Sequence, residues 1–187
     1  MRLAILFLVA ATSFVAQTPA PKPAAPAELK NSASIRGKYL ALSIGTNKES
    51  VAPGGTIALV VRATPGPKMH VYAPGQQGYM PVTLTLQNDL RIKDAAYRAS
   101  PVVYPKPTLF EFAPLNEKVK IYDATFTLTQ AIAVATTPTL RQRASAGDTL
   151  IIKGSFAYQA CDDTICYRPE TLAIAWSVKL IAGQPVG

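Results

Sequence analysis

From about Lys38 onward the chain alternates apolar and polar residues with a period of two, the repeat of a strand that buries one face. Val82-Thr83-Leu84-Thr85-Leu86-Gln87 and Ala124-Thr125-Phe126-Thr127-Leu128-Thr129 show it most cleanly. In 172–180 one face carries Leu172, Ile174, Trp176, Val178 and Leu180, and the other carries Ala173, Ala175, Ser177 and Lys179. The same reading predicts strands at 38–44, 56–63, 69–72, 90–97, 119–122 and 149–159. Turn signals separate them: Pro53-Gly54-Gly55, Pro65-Gly66-Pro67, Pro74-Gly75, Asn88-Asp89 and Ala146-Gly147-Asp148. No stretch beyond the N-terminus sustains a helical period. About eight or nine short strands of this kind predict an all-β fold, an immunoglobulin-like antiparallel β-sandwich.

One segment breaks the alternation. Residues 100–115 contain Pro101, Pro105, Pro107 and Pro114, which exclude a central strand, yet they also hold Tyr104, Phe110 and Phe112. A long aromatic loop stiffened by proline either covers a site or packs its own rings on the edge of the fold.

The N-terminus reads differently again. Arg2 precedes a run dominated by apolar residues, 3–15, with small residues at Ala16 and Ala20. A helix of that length spans about 20 Å, short of a hydrocarbon core of about 30 Å, so a signal peptide over 1–16 is preferred to a membrane anchor. Phe14 is a poor residue three before a cut after Ala16. No cysteine follows the run, which argues against a lipid anchor. Residues 17–34 form a Pro/Ala-rich linker expected to be extended, 35–182 the folded sandwich, and 183–187 a tail. No later segment is apolar enough to cross a bilayer, so the mature chain is expected to be soluble, without a transmembrane segment, in the periplasm or another exported compartment.

Composition narrows the chemistry. The chain has 187 residues and a net charge of +8, but its basic residues are scattered, with no basic run interleaved with aromatics. Nucleic acid is therefore not an expected partner. His70 is the only histidine, too few for a blue-copper or histidine-rich zinc site, and no Gly-x-Ser-x-Gly phrase supports a hydrolase. No cofactor is expected. Two cysteines are too few for a disulfide framework, but an oxidising compartment would let them pair.

Those cysteines occur in one phrase, Tyr158-Gln159-Ala160-Cys161-Asp162-Asp163-Thr164-Ile165-Cys166-Tyr167-Arg168-Pro169-Glu170-Thr171, between the last two predicted strands. They would sit at a hairpin tip at one end of the fold. A disulfide there closes so small a ring that its entropic contribution is only about 2 kcal/mol. Asp162 and Asp163 place negative charge beside Cys161 and disfavour its thiolate, whereas Arg168 follows Cys166 and favours the second one. On charge, Cys166 is the expected exchanging sulfur. Three readings stay open on the residues alone: an exchangeable pair, a loop staple in an exported binding module, and a Cu(I) site built from Cys161, Cys166, His70, Met69 and Met80.

At this point the phrase resembles the N-terminal periplasmic domain of the thiol:disulfide interchange protein DsbD. Met69-His70-Val71-Tyr72 is similar to that family's aromatic strand. Lys120-Ile121-Tyr122-Asp123-Ala124-Thr125-Phe126-Thr127-Leu128 is similar to the strand after its cap loop, and Ala144-Ser145-Ala146-Gly147-Asp148-Thr149-Leu150 to the turn before its active-site strand. The resemblance runs from about Tyr39 to Leu180 and implies an immunoglobulin-like sandwich with one redox-active pair. It implies thiol:disulfide interchange of the protein-disulfide reductase type, relaying reducing equivalents between a thioredoxin-like protein or domain in trans and oxidised periplasmic proteins. It makes Cys161 and Cys166 the catalytic residues, with Cys166 forming the mixed disulfide. The cap loop maps to 104–115, with Tyr104, Phe110 and Phe112 as shielding candidates, and His70, Tyr72, Asp162, Asp163, Tyr167 and Arg168 as supporting residues. The chain departs from the family pattern in spacing, with four residues between the cysteines instead of five, and in Arg168, which stands where the family has proline. It also carries no membrane or thioredoxin-like domain before Gly187, so the electron source is expected on another chain.

Overall fold

The computed structural model describes residues 28–75, 78–87, 96–112 and 117–183. The signal-peptide reading of 1–16 and most of the linker lie outside the described residues. Among those described, thirteen strands and one helix follow in order. They are β1 (Lys30–Arg36), β2 (Leu40–Thr46), β3 (Ser50–Val51), β4 (Thr56–Pro65), β5 (His70–Tyr72), β6 (Thr83–Leu86), β7 (Tyr97–Ala99), β8 (Thr108–Phe112), β9 (Glu117–Tyr122), β10 (Phe126–Val134), α1 (Pro138–Ser145), β11 (Thr149–Tyr158), β12 (Ala160–Cys161) and β13 (Glu170–Leu180). No described helix is long and apolar enough to cross a membrane.

The strands form three sheets. The first has the order β1-β2-β4-β10-β7, the second β3-β13-β11-β6, and the third β12-β5-β9-β8. The long strands follow the period-two pattern closely. In β13 the side chains of Ile174, Trp176, Val178 and Leu180 are buried while Ala173, Ala175, Ser177 and Lys179 are exposed. One core joins the two larger sheets, with Leu42, Val61 and Leu128 from the first meeting Ile152, Phe156 and Trp176 from the second. Trp176 spans the gap and donates its indole N–H to the Val60 carbonyl at 3.4 Å. A buried indole without an acceptor would carry an unpaid desolvation cost, so this contact fixes the ring as well as the packing.

The architecture is richer than the periodicity alone predicts. The expected eight or nine strands become thirteen: β3, β7 and β12 are only two or three residues long, too short to display an alternation, and β1 and β8 arise in segments read as linker and proline-stiffened loop. The pairing is not wholly antiparallel, since β3 runs parallel to β13 with Lys179 opposite Ser50. β1 starts at Lys30, inside the span read as linker, and pairs with β2. The strand expected at 90–97 falls mostly outside the described residues, and β7 begins at its end. Helix α1 was not expected. Thr137 caps it by accepting from the Leu140 amide at 3.3 Å, with a proline in the first turn, and only Leu140 and Ala144 are buried. Two apolar contacts on an eight-residue helix leave no sustained period to read.

The proline-rich segment does yield a strand, but at an edge. β8 pairs only with β9, with Phe110 opposite Val119, after Pro101, Pro105 and Pro107 have passed. The third sheet has its own small cluster, in which Tyr72, Val119, Ile121 and Cys161 are buried and Tyr79 and Phe110 pack on them. That cluster lies directly beneath the cysteine pair.

Candidate functional site

Strand β11 ends at Tyr158, and the chain then changes sheets. β12 leaves the second sheet and pairs with β5 in the third, with Cys161 opposite His70 and Ala160 opposite Val71. A turn over 162–165 brings Cys166 back against Cys161. The Asp162 amide donates to the Ile165 carbonyl at 3.0 Å, and the Tyr167 amide to the Ala160 carbonyl at 2.8 Å. The chain rejoins the second sheet at Glu170, opposite Tyr158.

Asp162 builds the turn. Its Oδ1 accepts from the amides of Thr164 and Ile165, each at 2.8 Å, and from Thr164 Oγ1 at 2.9 Å, and its Oδ2 accepts from the Tyr167 hydroxyl at 2.8 Å. This is the Asx-type arrangement in which a short acidic side chain imitates a backbone turn. The backbone donors of Ile165 and Thr164, followed by the Tyr167 hydroxyl, hold the carboxyl well below the usual carboxylate range. The sequence reading treated Asp162 as a charge acting on Cys161. The structure spends its oxygens on the loop instead.

The two cysteines are joined by a disulfide, with sulfurs 2.06 Å and Cα atoms 4.0 Å apart. They are unequal. Cys161 is 1% exposed, whereas Cys166 lies on the exposed side of the turn. The Tyr72 hydroxyl stands 3.4 Å from both sulfurs. Disulfide sulfurs carry no hydrogen, so the hydroxyl is the donor. Burial, aided by nearby Tyr79 and Glu117, pushes Tyr72 up to about 12, which keeps it a donor at any physiological pH.

Aromatic rings close the space around the bond. Tyr79 stacks on Tyr72 with centroids 4.2 Å apart, and its hydroxyl donates to Glu117 Oε2 at 2.7 Å. His70 meets Tyr72 edge-on at 5.8 Å and Phe110 at 5.3 Å. The result is a cavity of about 220 Å³ lined by His70, Tyr72, Tyr79 and Phe110 together with Cys161 and Cys166. His70 is buried, and desolvation lowers its affinity for a proton against the opposing charges of Asp163, Asp123 and Asp162.

A second set of contacts holds the base of the hairpin. Tyr158, fully buried, donates its hydroxyl to Glu170 Oε2, and the same oxygen accepts from the Lys38 amide at 3.0 Å. Gly37 lies against this pair, and a Cβ there would sit 2.7 Å from the Tyr158 hydroxyl. Tyr39 stacks on Tyr167 at 4.2 Å. Gln159 donates to the Tyr167 carbonyl at 3.1 Å and accepts from the Met80 amide at 3.3 Å. Both legs of the hairpin are thus tied to the β1–β2 turn and to the segment before β6.

Of the residues singled out from sequence, the structure brings His70, Tyr72, Phe110, Cys161, Asp162 and Cys166 to one cavity. Tyr104 packs on the main core, and Tyr167 faces Tyr39, so neither lines it. The side chain of Phe112 lies outside the described residues. Asp163 and Arg168 are exposed, and Arg168 does not reach the cavity. Met69 and Met80 do not line it either, and among the described residues no group of three or more His, Cys, Asp or Glu side chains is placed to hold a metal ion. Sequence reasoning missed Tyr79, Tyr158 and Glu170 as parts of the site. Tyr158 and Glu170 stand inside the cysteine phrase and face each other in register, which was a usable signal.

The fold and site together define an all-β domain that presents one asymmetric disulfide beside a cluster of aromatic side chains. The chain belongs to the DsbD N-terminal family: the family model described as thiol:disulfide interchange protein DsbD, N-terminal, matches residues 45–177. Among solved structures it is similar to the N-terminal periplasmic domain of ScsB from Proteus mirabilis, with a TM-score of 0.53 and 10% sequence identity. That likeness covers 85% of this chain and 55% of the other, so the chain spans about half of that structure. A search of curated proteins finds no match.

Proposed function

We propose that this chain is an exported thiol–disulfide exchange domain that relays reducing equivalents through Cys161 and Cys166 to or from a thioredoxin-fold partner supplied by another chain. The periplasm is the compartment this reading implies, and oxidised periplasmic proteins are the class of client. The two larger sheets, packed face to face over one core, serve as the layers of an immunoglobulin-like sandwich that carries the redox loop at one end.

The observation that carries the reading is the unequal exposure of one bond: Cys161 is 1% exposed and Cys166 is exposed. Exchange needs a sulfur that an outside thiolate can reach in line with the bond, and a leaving sulfur held in place. Cys166 offers the first and Cys161 the second. An incoming partner thiolate attacks Cys166 Sγ, the Cys161–Cys166 bond breaks, and Cys161 leaves as a thiolate beside the Tyr72 hydroxyl. The partner's second thiolate then attacks the partner sulfur of the mixed disulfide and releases Cys166. The partner is oxidised to its disulfide, and this chain is reduced by two electrons and takes up two protons. Phe110, which lines the cavity beside the bond, is the cap-segment residue that a docking partner would meet.

Redox equilibration tests the reading. Oxidised protein incubated with a reduced thioredoxin-fold dithiol should come to a measurable mixture of both forms. A bond that stays wholly oxidised, with a potential below about −300 mV, would instead mark a structural staple.

A further inference from the structure

The mechanism above leaves unused a buried imidazole that lines the same cavity as the cysteines. His70 is the direct cross-strand partner of Cys161 in the β5–β12 pair. Directly opposed residues of an antiparallel pair project to the same face, with Cβ atoms about 4.5–5.5 Å apart. Both side chains line the same cavity, and the imidazole is held between Tyr72 and Phe110.

In the reducing direction this placement matters. The reduced domain attacks a client with the Cys166 thiolate, and the mixed disulfide is resolved by Cys161. A thiol buried as deeply as Cys161 does not ionise readily, because desolvation disfavours its charged form. Something beside it must take the proton. Tyr72 is already protonated and stays so. Asp162 spends its carboxylate oxygens on Thr164, Ile165 and Tyr167. Tyr79 is bound to Glu117, and Lys118 on β9 pairs with Glu111 at 2.8 Å. Asp163 and Asp123 are exposed and act on the imidazole only through their charge.

We propose that His70 is the general base for Cys161, taking the thiol proton as Cys161 attacks Cys166 Sγ and returning it to the client sulfur that leaves. The inference rests on the exchange reading. Each step balances: the Cys166–client bond breaks as the Cys161–Cys166 bond forms, the client's second sulfur departs as a thiolate, and the proton held by His70 neutralises it. The client gains two electrons, the cysteine pair loses two, and His70 ends neutral. Burial without a tight acidic partner keeps the imidazole unprotonated at neutral pH, the form a base requires. The surrounding acids, Asp162 and Asp163 on the hairpin and Asp123 after β9, favour the imidazolium once it forms.

Dipyridyl disulfide tests this on the reduced full chain by stopped flow. Wild type should release one pyridinethione as Cys166 reacts and a second as Cys161 resolves, with the second phase rising with pH through the histidine range. In His70→Gln and His70→Phe, the second of which keeps an aromatic ring in the cavity, the ratio of second to first rate constants should fall at least tenfold and lose that inflection. A ratio within threefold of wild type in either variant would overturn the role of His70 while leaving exchange intact. If wild type released only one equivalent, with Cys161 still reduced, the exchange reading itself would fail.

Discussion

Tyr158 and Glu170 face each other across the β11–β13 register and join through a hydrogen bond at the point where the cysteine hairpin leaves its sheet. The carboxylate also receives the Lys38 amide, so one side chain fixes both legs of the redox loop and the turn beside it. Glu170→Ala leaves a fully buried tyrosine hydroxyl and a backbone amide without their acceptor. Loss of such partners costs about 1–3 kcal/mol, so the variant should unfold at correspondingly lower denaturant. Gly37→Ala, which drives a Cβ against the same hydroxyl, should show a loss in the same direction.

Reduction of the disulfide should leave the fold standing. The ring it closes is small, and the main core does not include either cysteine. Denaturation with and without reductant should differ by about 2 kcal/mol, with the far-ultraviolet spectrum unchanged. Global unfolding on reduction would show that the bond is a staple of the whole domain.

The Tyr72 hydroxyl lies equally close to both sulfurs and is the donor available to a Cys161 thiolate as it leaves. Tyr72→Phe keeps the ring stacked on Tyr79 but removes that donor. A net hydrogen bond of about 1 kcal/mol corresponds to roughly a fivefold slower reduction by dithiothreitol. Equal rates would place the hydroxyl outside the reaction.

Asp162 gives the loop an acid limit. Its folded pKa is depressed, so the order it contributes is present above the ordinary aspartate value of about 3.9 and is lost as the pH falls below that value toward the folded one. Amide resonances of Thr164 and Ile165 should hold steady down through pH 4 and shift only under stronger acid. Asp162→Asn, which keeps an Oδ1 acceptor, should abolish that titration.

Much of the fold was written in side-chain periodicity. β4, β6, β10, β11 and β13 fall where the pattern predicts them: β6, β10, β11 and β13 bury alternate residues in a common core, and β4 adds a buried Val60 between Leu59 and Val61. β3 and β12 escaped notice because two residues cannot show a period, and α1 because only Leu140 and Ala144 reach the core. The cysteine pair and its aromatic strand were legible as a motif. The roles within the pair were argued from the charges of Asp162 and Arg168, but the structure directs Asp162 into the turn and leaves Arg168 outside the cavity. What separates the sulfurs is burial, which depends on the switch of β12 into the third sheet. Tyr79 joined the site through a contact distant in sequence, with Glu117, and the Lys38 amide reaches Glu170 across the chain in the same way, pairings that no local pattern announces.

Capture of a thioredoxin-fold dithiol by single-cysteine variants tests the division of labour most directly. With Cys161→Ser, the exposed Cys166 should form a stable mixed disulfide that non-reducing electrophoresis resolves. With Cys166→Ser, the buried Cys161 should capture at least tenfold less under the same conditions. Equal capture by both, or capture by Cys161 alone, would contradict the assignment of Cys166 as the sulfur that meets the partner.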